Sequence, residues 1–202
     1  MKQLVIIGAS GHGKVVADLA AHCGYTNIAF LDDARSGENC LGYPIVGAVR
    51  DAEFYPQSDF IVAIGNTEIR ERVQTMLLQK GLHMATLIHP NAVIASHVSI
   101  GAGSVIMAGA VINPDTKIGK GCIINTCASV DHDNVIGDFV HVSVGSHLAG
   151  TVHVGKGTWI GAGATVSNNI QICGGCMIGA GAVVVNNIQD NGTYIGIPAK
   201  IV

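Results

Sequence analysis

Aromatic and charged side chains are both scarce. Of 202 residues only 4% are aromatic and 12% charged, so neither a ring-filled core nor a densely charged surface builds this protein. The net charge of −3 is mild and no Lys/Arg cluster interleaves with aromatics, which excludes the electrostatic footprint of a nucleic-acid binder. Long apolar runs are also missing. After Lys2, the stretch Leu4 to Ala9 is broken by Gly8 and followed by Ser10, Gly11 and His12, too short for a signal peptide. No run approaches the length of a membrane span, so a cytoplasmic protein without membrane insertion is expected. Its 6 cysteines are then expected to be reduced. Cys173 and Cys176 have the spacing of half a zinc site, but a second such pair is absent. The expectation is a packing role and no metal.

Glycine is abundant instead, with 27 residues, beside a 49% hydrophobic fraction supplied mostly by Ile, Val and Ala. From Ile94 to Val184 every sixth residue is Ile, Val or Leu, without exception. The following residue is often Gly (Gly101, Gly119, Gly137, Gly155), and the fourth after it is usually small (Ser104, Ala110, Cys122, Ala128). A period of six fits neither a helix nor a simple strand, but it fits a chain that turns a corner every six residues. Three hexads close one triangular coil, with the aliphatic side chains stacked inside and Gly and Asn suited to corners that need positive φ. This is the hexapeptide signature of a left-handed parallel β-helix. Residues 18 apart share a face, so His141, His147 and His153 point to three different sides and make a metal cluster untenable. The flat apolar sides of such a coil predict self-association.

Residues 1–90 read as a small Rossmann-like parallel α/β unit. Strands are expected at 4–7, 28–31, 60–64 and 84–88, helices from the Gly-rich turn to about Gly24 and over 68–79, and a loop over 34–42. Ser10-Gly11-His12, Asp32-Asp33 and Gly65-Asn66 all fall at strand carboxyl ends, where such sheets bind phosphorylated ligands. The turn matches GxxxxGK, but Val15 stands where a P-loop needs Ser or Thr for Mg²⁺. A dinucleotide would need a larger second half, so a nucleoside diphosphate fits better. Asp32 and Asp33 could accept from its base or ribose, or could cap a loop.

The α/β unit, the hexapeptide coil and the ending Gly196-Ile197-Pro198-Ala199-Lys200 together resemble the sugar-nucleotide acetyltransferases of the bacillosamine type. Perosamine N-acetyltransferases and sialic acid O-acetyltransferases are relatives in that family. The likeness runs over essentially the whole chain and is most specific at GASGHGK (8–14), LDD (31–33), AIGN (63–66), Asn125-Thr126, Asp131-His132-Asp133 and HVSVG (141–145). The resemblance implies a homotrimer with two domains, 1–90 binding the sugar nucleotide and 91–202 forming the acetyltransferase β-helix. It implies His132 as general base and Asp133 as its acidic partner, where these enzymes often carry Glu; Asp131 is the alternative partner. It further implies acetyl-CoA lying between subunits near His141, Ala162 and Ala180, and the nucleotide sugar held by Ser10, Gly11, His12, Asp32, Asp33, Gly65 and Asn66. The implied reaction is direct attack of an amino group on the thioester, the substrate being an NDP-4-amino-4,6-dideoxy hexose of surface glycan biosynthesis, with no metal. Sugar O-acetylation and a non-catalytic nucleotide-sensing scaffold are the alternatives.

Overall fold

The computed structural model describes residues 3–202, so Met1 and Lys2 lie outside the described residues. The chain divides into two units at Pro90/Asn91. In the first, β1 (Leu4–Ile7) and β2 (Ile28–Leu31) are buried at every residue, as is the later strand Asp59–Val62. Burial on both faces explains why these segments are continuous apolar runs rather than alternating ones. Between them lie β3 (Asn39–Cys40) and β4 (Tyr43–Pro44); Asp59–Val62 is β5 and His83–Met84 is β6. The sheet is parallel in the order β2-β1-β5-β6. Helices α1 (Gly11–His22) and α2 (Thr67–Gln79) leave directly from the carboxyl ends of β1 and β5. The strand order reverses between β1 and β5, so their following loops border the switch point where open α/β sheets bind ligands.

Two expectations for this unit need correction. The segment over 34–42 is not a plain loop, because β3 and β4 form an antiparallel hairpin turned by Leu41 and Gly42 at φ 51 and 79. A 3-10 helix, Val49–Phe54, follows. The last strand is two pieces: His83–Met84 joins the sheet, and Leu87–Ile88 is a second two-residue strand outside it.

From Asn91 onward the chain is a left-handed parallel β-helix of two-residue strands. A first face stacks Val105, Ile123, His141, Trp159 and Met177; a second stacks Val111, Ser129, His147 and Thr165; a third stacks Lys117, Val135, His153 and Gln171. The aliphatic residue that follows each of these points inward and is buried. Ile94 and Ile100 are the exceptions. Both lie in the first coil, where only one neighbouring coil covers them, and they are half-buried against the core.

The corners follow a rule that the glycine pattern suggested only in part. Positive φ falls six residues apart from His97 to Gly181, three places after the aliphatic residue, and the occupants include Asp115, Cys127, Asp133, Phe139 and Thr151 as well as glycines. The glycines directly after the aliphatic residue have a different cause. A Cβ on Gly101 would lie 2.5 Å from Lys120 N, and one on Gly137 2.7 Å from Lys156 N, so the next coil's backbone occupies that space.

Ile136 is 2% exposed in the middle of this stack. Ile136→Asp should cost about 3–5 kcal/mol by burying an unpaired charge. Chemical denaturation followed by circular dichroism checks this, and an unchanged midpoint would contradict the inward register.

Candidate active site

His132 sits on the corner between the second and third faces, and its backbone is fixed from several directions. Asp131 Oδ1 accepts from His132 N at 2.8 Å and from Asn113 Nδ2, one coil away, at 2.7 Å. Buried Thr116 and Asn134 donate to Asp131 O at 2.8 and 2.6 Å, and Asn134 Nδ2 also reaches Ala149 O at 2.9 Å. His132 O accepts from Thr151 N at 2.9 Å, and Asp133 N donates to Pro114 O at 3.0 Å. Asp133 takes the left-handed corner position, φ 56, and its Oδ2 lies 2.7 Å from His132 Nδ1. The shorter Asp side chain therefore reaches the imidazole.

An ionised carboxylate can only accept, so Nδ1 is the nitrogen that donates to it, and in the neutral ring Nε2 keeps its lone pair. The Asp133 hydrogen bond is also the main reason the His132 pKa lies above its ordinary value. Asp131 serves a different end. Its pKa is lowered, first by the Asn113 amide and then by the His132 backbone N–H, which marks it as a fixed anionic brace. Gly150 stacks one coil from His132, and a Cβ there would come within 2.5 Å of Nε2. The role of Gly150 in leaving room for the ring was not read from the sequence, although its position 18 residues after His132 was the available signal.

His141, Ala162 and Ala180 lie elsewhere on the β-helix. His141 is a first-face residue, 7% exposed, with Nε2 3.2 Å from Asn125 Nδ2 and its ring 4.6 Å from that of Trp159. Trp159 Nε1 donates to Ser143 Oγ at 2.7 Å, so Asn125, His141, Ser143 and Trp159 form one polar-aromatic strip. Ala162 and Ala180 are exposed and stack on the adjacent corner, between the first and second faces, where Gly181 N bonds Ala162 O at 2.9 Å. Within one chain this strip and His132 belong to different corners.

In the α/β unit, the predicted residues gather at the strand carboxyl ends. Ser10 is the N-cap of α1 and makes no side-chain cap bond. A Cβ on Gly11 would meet nothing within 4 Å, so this backbone is open. Gly13 is needed instead for packing, because a Cβ would collide with Gly8 O. Asp32 bridges two loops, accepting from Ala9 N at 2.8 Å and Ala34 N at 2.9 Å, while Asp33 accepts from Val49 N at 2.8 Å. The loop-capping option for both is thus realised, and each oxygen keeps a second lone pair. Asn66 caps α2 through Ile69 N at 3.0 Å. Arg70, a helix residue that the sequence does not single out, is 1% exposed and donates to Ile64 O at 3.0 Å and Gly65 O at 2.8 Å. Burial, and secondarily the Arg70 charge, push the His12 pKa down to about 4, so its ring is neutral. Its Nε2 is buried and makes no hydrogen bond among the described residues.

These features define a hexapeptide-repeat protein with a parallel α/β unit at its N-terminal side. Residues 3–77 match the PglD N-terminal domain family, and 82–114 and 97–132 match the bacterial transferase hexapeptide family. The acetyltransferase domain of PglB from Neisseria gonorrhoeae FA1090, solved with acetyl coenzyme A, is 42% identical, with a TM-score of 0.96 over 100% of this chain and 99% of that one. PerB from Caulobacter crescentus, solved with CoA and GDP-perosamine, is 38% identical, with a TM-score of 0.92 over 100% and 97%. UDP-N-acetylbacillosamine N-acetyltransferase of Bacillus subtilis is 38% identical over 113 residues, 54% of this chain and 52% of that protein. The chain thus spans about half the length of the curated relatives it matches. It belongs to the family of bacillosamine- and perosamine-type sugar-nucleotide N-acetyltransferases.

The His132 imidazole should titrate above the ordinary histidine range, and Asp133→Asn should move it down, because the carboxylate stabilises only the charged ring. Proton NMR of the imidazole against pH reads this directly. An unmoved titration in the variant would remove Asp133 from the role.

Proposed function

We propose that this chain transfers the acetyl group of acetyl-CoA to the amine of a nucleotide-linked amino sugar, with His132 as general base. The observation that carries this reading is the His132–Asp133 pair at 2.7 Å on a corner braced by Asp131, Asn113 and Asn134. The solved relatives support it through the ligands in their names, acetyl coenzyme A for one and CoA with GDP-perosamine for the other.

The amine nitrogen attacks the thioester carbonyl. A C–N bond forms, the C–S bond breaks, and CoA leaves as its thiolate while the amine proton passes to His132 Nε2. Asp133 stabilises the resulting imidazolium and holds the ring. His141, Ala162 and Ala180 are the proposed acetyl-CoA contacts. Because they occupy a different corner from His132, the thioester is supplied from a second subunit, which supports a homotrimer. In the α/β unit the open backbone at Ser10-Gly11 and the neutral His12 ring are the proposed sugar-nucleotide contacts, with Asp32, Asp33, Gly65 and Asn66 shaping the same strand-end loops. Among the described residues no helix is long and apolar enough to cross a membrane, and we place the enzyme in the cytoplasm with its diffusible substrates.

His132→Ala should lower turnover by about a hundredfold or more while both substrates still bind, with partial rescue at higher pH, where solvent supplies more neutral amine. Near-normal turnover at neutral pH would move the base elsewhere, His141 first. The paired change Asp32→Ala/Asp33→Ala should raise KM for the sugar nucleotide and leave acetyl-CoA binding near wild type. Equal loss for both substrates would contradict the division of labour between the two units.

A further inference from the structure

Cys173 interrupts a glycine column. Gly101, Gly119, Gly137 and Gly155 follow the inward aliphatic residue of the third face in successive coils, and Cys173 occupies the next place. Cys176 obeys its own column, where Ser104, Cys122, Val140 and Thr158 are all small or medium and fully buried. Cys176 is thus an interior residue of the core, whereas Cys173 packs against that core from its edge and stays partly exposed.

The two sulfurs lie 3.4 Å apart across the Gly174-Gly175 turn. The ends of such a four-residue turn stay within about 7 Å at Cα, close to the range a disulfide spans. The turn is held without using either sulfur: Thr158 Oγ1 donates to Cys173 O at 3.0 Å and accepts from Cys176 N at 3.3 Å, and Gly175 N donates to Lys156 O at 2.9 Å. Cys176 is 2% exposed. Cys173 is partly exposed and lines an open cleft of about 460 Å³ on the third face, beside Gln171 and Asn187. Two thiols are half of what tetrahedral zinc requires, and no group of three or more metal-suited side chains occurs among the described residues.

We propose that Cys173 and Cys176 form a reversible dithiol–disulfide site that reacts with small hydroperoxides entering through this cleft. The Cys173 thiolate attacks the terminal peroxide oxygen; an S–O bond forms, the O–O bond breaks, and the leaving alkoxide, or hydroxide from hydrogen peroxide, takes up a proton to become an alcohol or water. Cys176 sulfur then attacks the Cys173 sulfenic sulfur, forming the S–S bond and expelling the hydroxyl, which leaves as water with the Cys176 proton. Two thiols lose two electrons and the peroxide gains them. Burial, and then the neighbouring Cys173, push the Cys176 thiol up to about 12, which agrees with its place as the second sulfur to react.

The test treats the native full chain with one equivalent of hydrogen peroxide, alkylates free thiols and digests with trypsin. Residues 157–200 form one peptide that contains both cysteines and no others. That peptide should lose two hydrogens and resist alkylation, and dithiothreitol should restore both thiols. In Cys173→Ser, Cys176 should stay reduced under the same treatment. Full alkylation of both cysteines after oxidation would overturn the proposal, as would sulfinic acid at Cys173 beside a free Cys176. Oxidation of Cys176 at the wild-type rate in Cys173→Ser would overturn it too.

Discussion

The backbone hydrogen bond from one coil to the next is the constraint on which the second unit rests. Val105 N bonds Cys122 O, Ile123 N bonds Val140 O and His141 N bonds Thr158 O, at 2.9 to 3.0 Å. This ladder holds successive coils at the spacing of a parallel sheet, about 4.8 Å, so every residue sits directly over the one 18 places earlier. Side chains must then be chosen by column. Inside, branched aliphatics stack to fill the prism; beside them buried small residues such as Ser104, Cys122 and Ala164 leave space for them. Where the column runs against the next coil's backbone, as at Gly101 and Gly137, only hydrogen fits.

The same ladder decides where chemistry can be placed. Interior positions are filled and strand positions are paired, which leaves the corners as the places where a polar side chain can be varied without breaking a bond. At the left-handed corner position, Gly is common but Asp133, Phe139 and Thr151 take similar φ values, 56 to 59. The conformation of Asp133 is therefore a property of the coil, imposed at every corner, and the His132–Asp133 pair uses a geometry that the architecture already provides. What distinguishes this corner is the brace around it. Asn113 below and Asn134 beside it turn Asp131 and the His132 backbone into a fixed platform, with Gly150 above leaving the ring unobstructed.

The sequence made the coil legible because the aliphatic column is strictly periodic and each face repeats the same demand. The ends were harder: Ile94 and Ile100 obey the period but lack a second covering coil. Positive φ was less legible than burial, because the ladder forces it on Asp133 and Cys127 as readily as on Gly103. In the α/β unit the four runs near 4–7, 28–31, 60–64 and 84–88 stood out through continuous apolarity. The Asn39–Pro44 hairpin did not, since its two strands are only two residues each and carry one buried side chain, Cys40. Of the candidate site, the residue types were readable at strand ends and corners, but Arg70 was not. A charged residue on an otherwise amphipathic helix looks solvated until the carbonyls of Ile64 and Gly65 are found in its path.

Rigidity is what such a scaffold offers to an amide-forming reaction. A neutral amine needs little activation toward a thioester, so most of the barrier that a protein can remove lies in bringing the two together and in having a proton acceptor already oriented. The two units hold their candidate residues by opposite means. In the α/β unit, loops at strand ends are stitched by Asp32, Asp33 and Arg70, leaving the backbone at Gly11 open. In the β-helix, no loop intervenes at His132, whose position is set by bonds to residues one coil to either side. On the proposed assignment the acetyl-CoA contacts and the base lie on different corners, and association then becomes part of the chemistry: the prism cannot bend to bring its own corners together, so a second copy is what would complete the site.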